Sequence, residues 1–170
     1  GALLDAHPNT VIGMEVDVLD LIQKGYSKNQ IFYCLMRNAE IFTRKLGNVW
    51  TGYDYSILGQ HQGTYKRIDV IGDKKGGKSS LRLYDDPDLL DELKTVTGLQ
   101  LKILHVIRHP VDNITTMVIR NVPEDKSPDR KFILERSEIY FTKVSINDKL
   151  RQKKELDILD IYHEDFVKSP

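Results

Sequence analysis

Cysteine is nearly absent. Cys34 is the single one in 170 residues, so an intrachain disulfide is excluded and a reducing, cytoplasmic compartment fits the chain. Net charge is absent as well, because 25 Lys and Arg offset 25 Asp and Glu. Whole-chain charge therefore gives no reason to expect nucleic acid or an anionic membrane as partner. No apolar run approaches the ~18 residues of a spanning helix. The histidines (His7, His61, His105, His109 and His163) are scattered, with no clustered His/Cys/Asp set of metal-ligand type, so no metal is expected. Internal repeats and low-complexity tracts are missing too. So are a starting Met and a signal-peptide pattern. The opening "ALLDAH" reads as the last turns of a helix stopped by Pro8, so the chain is expected to start inside an element.

What remains is an ordinary globular composition, 40% hydrophobic and 29% charged, enough for one domain over residues 1–170. "TVIGM" (Thr10 to Met14) is β-branched and predicts a strand. "SKNQ" (Ser27 to Gln30) has capping-box spacing, and Ile31, Leu35, Ala39, Phe42 and Leu46 then recur at helical spacing up to Gly47. Trp50 to Lys66 has no clear period and reads as an irregular segment. Further strands are expected at Ile68 to Ile71, Leu101 to Ile107 and Leu156 to Tyr162. Helices are expected after Asp86-Pro87, after Pro110 and after Ser127-Pro128. Alternating strands and helices imply an α/β fold, a parallel sheet covered by helices on both faces. Ligands of such sheets sit beyond the carboxyl ends of the strands.

Those ends carry the chemistry. Glu15 lies just past the first strand and is either a general base or an acid favoured by a helix start. "GDKKGGKS" (Gly72 to Ser79) lies past the second and fits G-x-x-x-x-G-K-[ST], the phosphate-cradling loop of an NTP-dependent kinase. Lys66, Arg67, Lys74, Lys75 and Lys78 make the region cationic, diluted by Asp69 and Asp73. "RHPVDNITT" lies past the third strand. Arg108 beside a helix N-terminus can grip a phosphate, or it can pair with Asp112, and Thr116 lies eight residues on. The acids of "YHEDFVKSP" can anchor backbone or ribose, or cap a helix. A P-loop enzyme also needs an apolar strand ending in an acid for its metal shell, yet "LKILHVI" ends in Arg108.

Four stretches in order resemble the PAPS-dependent sulfotransferase superfamily. "LLDAHPNTVIGMEVDVL" is similar to its tyrosylprotein-type members, a helix and then a strand reaching a carboxylate. "GDKKGGKSS" resembles the strand end that presents a catalytic Lys. "VIRHPVDNITTM" resembles the 3′-phosphate motif, with Thr116 where members usually have Ser. "YHEDFVKSP" resembles a late Y-E-D-L-V-x-x-P segment with His163 inserted. The resemblance implies a P-loop-type sulfotransferase fold, truncated at both ends, whose own phosphosulfate loop is expected before residue 1. It implies sulfonate transfer from 3′-phosphoadenosine 5′-phosphosulfate (PAPS) to a small-molecule, carbohydrate or peptide acceptor, without a metal. Glu15 would be the base and Lys74 the stabiliser of the transferring sulfonate. Arg108 and Thr116 would bind the 3′-phosphate. His61 is a spare base, and Trp50, Tyr53, Tyr55 and Tyr65 are candidate acceptor-pocket residues. The alternatives are a kinase using Gly72 to Ser79, or a non-catalytic partner domain that kept the fold.

Overall fold

A computed structural model describes residues 1–123 and 126–169; Pro170, the last residue of "YHEDFVKSP", lies outside the described residues. The chain divides into two compact units, Gly1–Leu99 and Gln100–Pro170. Both combine a short parallel sheet with helices.

The first unit runs α1 (Ala2–Asp5), β1 (Thr10–Met14), α2 (Val18–Gln23), α3 (Lys28–Arg44), β2 (Val49–Trp50), β3 (Tyr53–Asp54), β4 (Val70–Lys74), α4 (Gly77–Asp85) and α5 (Leu89–Thr97). The β-branched run of β1 pairs in parallel with β4, in register from Thr10↔Val70 to Met14↔Lys74. Helix α3 starts at the expected capping box, where Gln30 Oε1 accepts the Ser27 N–H at 2.8 Å. Its apolar stripe, Ile31, Leu35, Ala39 and Phe42, is buried, and the helix packs on β1. Burying each large aliphatic side chain of such a stripe contributes about 1.5–3 kcal/mol. Leu46 does not join the stripe. The helix ends at Arg44 and Leu46 is exposed. Helix α5 ends where Gly98 takes the left-handed conformation expected of a terminal glycine.

The second unit runs β5 (Lys102–Ile107), α6 (Pro110–Ile119), α7 (Arg130–Arg151), β6 (Asp157–Tyr162) and α8 (His163–Lys168). Strands β5 and β6 are parallel, in register from Lys102↔Asp157 to Ile107↔Tyr162. His105 of β5 sits in a polar network. Its Nδ1 lies 2.9 Å from Asp160 Oδ1 and its Nε2 3.1 Å from the Asn147 amide, while Arg151 pairs with Asp160 at 2.7 Å. This polar network ties α7 to the sheet. Among the described residues no helix is long and apolar enough to cross a membrane.

Three features differ from the sequence-based expectation. The strands pair two by two rather than joining one continuous sheet among the described residues. Strand β4 begins later than Ile68 and runs through Lys74, because Gly72, Asp73 and Lys74 keep the ladder with β1. The irregular segment opens with an antiparallel β2–β3 hairpin, turned by Thr51 and Gly52, both with positive φ. Such a turn matches the strand twist, but Thr-Gly lacks the Asn or Asp that usually signals it.

Close approach of α3 to β1 requires a glycine at position 13. A methyl there would lie 2.7 Å from Leu35 Cδ2 and 2.8 Å from Val16 Cγ2. Overpacking of this kind costs about 1–3 kcal/mol. Gly13→Ala should lower the urea-unfolding free energy by that amount, with an unchanged denaturant slope.

Candidate active site

The β1–β4 register decides which side chains meet. Glu15 is the first residue past β1, and its N–H donates to Lys74 O at 3.0 Å, extending the ladder by one bond. The Lys74 ammonium then meets Glu15 Oε1 at 2.7 Å, and Lys75 Nζ lies 3.2 Å from Oε2. Two cations thus share one carboxylate at the carboxyl ends of two parallel strands, and the Asp73 carboxylate is a second anion near Lys75. Burial alone would raise the Glu15 carboxyl. Hydrogen bonds and charge from Lys74, then Lys75, outweigh burial and hold it below the usual carboxylate range. Lys74 is the more open of the two lysines, 41% exposed against 13% for Lys75. The more open ammonium is the one able to turn toward a ligand.

The backbone carrying Glu15 is unusual. Glu15 and Asp17 both have positive φ, 61° and 68°. Left-handed non-glycine residues cost of order 1–3 kcal/mol each and persist where surroundings over-determine them. Here the surroundings are Asp73 and Arg82. The Asp73 carboxylate accepts the N–H groups of Val16 (3.1 Å), Asp17 (2.7 Å) and Val18 (3.1 Å), filling the anion-binding concavity that these successive amides form. Burial pushes the Asp73 carboxyl up, against the pull of those three donors and of Lys75. Arg82 of α4 reaches Asp17 at 3.0 Å and Asp20 at 2.8 Å, fastening α2 to α4. In the sequence Asp73 stands out only as a charge diluting the lysines, and Arg82 has no evident part. The available signal is position: an Asp immediately before a strand-end Lys faces the opposite side of the strand, where a neighbouring loop can use it.

The strand path also bears on "GDKKGGKS". A phosphate-cradling loop would have to leave the sheet at Gly72. Instead Gly72, Asp73 and Lys74 are strand residues, and only Lys75 and Gly76 connect β4 to α4. Lys78 and Ser79 fall in the first turn of α4, whose N-cap Gly76 supplies no side-chain cap. Of the expected cations, Arg67 folds back on Asp69 in a two-pronged contact, 2.8 and 2.7 Å.

In the second unit Arg108 leaves β5 as expected. Its Nε is 3.8 Å from Asp112 Oδ2, beyond hydrogen-bond distance, and is buried without a hydrogen-bond partner. The Thr116 hydroxyl donates to Asp112 O at 2.7 Å. Both residues therefore converge on Asp112. The His109 N–H, at the start of α6, donates to Glu164 Oε1 at 2.8 Å. Of the roles open to the late acids, Glu164 takes the backbone anchor.

The remaining candidates lie elsewhere. His61 is tied through its main chain to Ala6 O at 3.1 Å, in the turn that leads into β1. Tyr55 packs against Phe42 and Tyr53 at centroid distances of 6.3 and 6.5 Å, while Trp50, Tyr53 and Tyr65 are exposed. A shallow cavity of about 630 Å³ opens between the α2–α3 turn and α5, lined by Tyr26, Asp88, Glu92 and Val96 among others, and includes none of the expected site residues. Among the described residues no group of three His, Cys, Asp or Glu is arranged to hold a metal ion.

The lowered Glu15 carboxyl fixes a pH dependence. Its ionised form stabilises the fold above the unfolded carboxylate value, and the contribution disappears as pH falls through the lower folded value. Glu15→Gln should therefore reduce stability near neutrality. The gap between wild type and variant should close as pH drops below about 4, as urea unfolding at a series of pH values would show.

Comparison with family models, curated proteins and solved structures finds no match to this chain, so its functional reading rests on the residues and geometry described above.

Proposed function

We propose that the chain is a PAPS-dependent sulfotransferase, moving a sulfonate to a hydroxyl or amine of a small-molecule, carbohydrate or peptide acceptor. The observation that carries this reading is the meeting of Glu15 and Lys74 at 2.7 Å, at the carboxyl ends of paired parallel strands. Such ends are where α/β sheets bind ligands. A carboxylate and an ammonium there make an acid–base pair suited to in-line transfer.

Two features of the chain fit a polyanionic donor. The Lys74 ammonium at the strand end is 41% exposed and can meet an anionic group. The Arg108 side chain, 40% exposed overall, stands beside the first turn of α6, where its guanidinium can take a phosphate. PAPS supplies the sulfonate, whose sulfur–oxygen bond to the phosphate breaks as the acceptor oxygen or nitrogen attacks sulfur. Glu15 takes the acceptor's proton. Lys74 stabilises charge on the sulfonate and the bridging oxygen. As its ammonium turns to that charge, Glu15 Oε1 is released from its strongest partner and becomes a better base. Arg108 and Thr116 read the 3′-phosphate, with adenosine 3′,5′-bisphosphate as the product. A kinase reading of Gly72 to Ser79 gains no support from a strand that continues through Lys74.

The test separates the two readings by residue. Lys74→Ala should cost about 10²–10³ in sulfonate transfer from PAPS, the scale of losing one preorganised charge-stabilising donor. Ser79→Ala and EDTA should leave transfer nearly unchanged. A Mg²⁺-dependent ATP activity lost in Ser79→Ala would reject the proposal.

Arg108→Ala should weaken adenosine 3′,5′-bisphosphate binding by roughly 10–150-fold, the equivalent of one charge-assisted phosphate contact, with little effect on AMP. Calorimetric titration of both nucleotides checks this. Equal losses would show that Arg108 does not read the 3′-phosphate.

A further inference from the structure

We propose that Asp73 is the positioning residue that holds Glu15 against Lys74. This inference rests on the reading of Glu15 as the acceptor base, and it assigns that base a second residue that controls its placement.

The argument starts from connectivity. Asp73 and Lys74 are neighbours on β4, so their side chains leave opposite faces of the strand. The Asp73 carboxylate takes the loop amides of Val16, Asp17 and Val18, while Lys74 takes the Glu15 carboxylate. One strand thus grips the β1–α2 loop twice, once by its backbone and once by its functional side chain. The distance between Glu15 and Lys74 is set by a path of very few bonds. Glycine at position 13, opposite Asp73 in the register, leaves room for the gripped loop, since a methyl there would lie 2.8 Å from Val16 Cγ2.

The alternative is that Asp73 only caps α2. A helix cap has no reason to act on Glu15, which lies ahead of the helix. Two observations favour positioning. The bonds from Asp73 begin at Val16, the residue directly after Glu15, rather than inside the helix. Glu15 and Asp17, on either side of Val16, both hold left-handed conformations that relax once the amides lose their common acceptor. Around Asp73 the charged groups are Lys75, which also meets Glu15, and Asp17, which is neutralised by Arg82.

The experiment follows the Glu15 carboxyl by carbon NMR across a pH titration in wild type, Asp73→Asn and Ile22→Val. Asparagine keeps the shape of Asp73 but loses the charge and part of the acceptor capacity. In Asp73→Asn the Glu15 midpoint should rise by roughly one pH unit, a tenfold change in proton affinity, as the lysine contacts loosen. Ile22→Val loosens buried α2 packing and should lower stability while leaving the Glu15 midpoint in place. An unmoved midpoint in Asp73→Asn, or an equal rise in Ile22→Val, overturns the proposal. If Asp73→Asn fails to fold, the wild type alone decides. The amide resonances of Val16, Asp17 and Val18 should shift together at the Asp73 midpoint, and independent titration of the three rejects the grip. Turnover with PAPS is read separately. Where wild type transfers sulfonate, Asp73→Asn should lower kcat with donor Kd unchanged, and an unchanged kcat rejects the proposal. Where wild type transfers none, the sulfotransferase reading fails while the titration still decides whether Asp73 places Glu15.

Discussion

The parallel register of β1 and β4 is the constraint on which the first unit depends. Met14 stands opposite Lys74, so the chain leaving β1 must turn directly beside the last residue of β4. A slip of one residue would exchange the faces presented by Asp73 and Lys74. Lys74 would then point away from Glu15, and the loop amides would lose their acceptor. The register is held from below by packing of α3 on β1, where Leu35 and bare Gly13 fit closely, and by Asp5, whose carboxylate accepts the N–H groups of Ile12 and Gly63. Packing, backbone pairing and side-chain chemistry thus specify the same arrangement.

Charge is concentrated rather than spread. The chain as a whole is neutral, yet Lys74 and Lys75 converge on one glutamate at the strand ends. In this part-buried setting a pair is worth more than on an open surface, and the lysines keep Glu15 ionised. The arrangement suits a site that receives an anion: the open Lys74 ammonium attracts it, and the carboxylate offsets the repulsion between the lysines.

Much of this arrangement is legible in the sequence. The β-branched run Thr10 to Met14, the Ser27–Gln30 box and the periodicity of α3 each arise from local chemistry, and each stands in the structure. Glu15 and Lys74 are legible because parallel sheets present their chemistry at strand ends, and both residues lie there. Less legible is the end of β4. Gly72, Asp73 and Lys74 have low strand propensity, and the Gly-rich pattern suggests a loop, but pairing with β1 overrides local preference. The short α2 escapes a sequence reading because six residues carry little periodic signal. The roles of Asp73 and Arg82 are hidden because both depend on partners more than 50 positions away in sequence. Arg108 is evident at its strand end, but the burial of its Nε without an acceptor arises only in the folded chain.

The central claim is that the proposed sulfonate donor is a 3′-phosphorylated adenine nucleotide. Calorimetry of the protein with adenosine 3′,5′-bisphosphate and, separately, with Mg·ATP tests it most directly. The account predicts saturable, metal-independent binding of the bisphosphate, with Mg·ATP bound weakly or not at all. Tight Mg²⁺-dependent binding of ATP, with no heat from the bisphosphate, would contradict it.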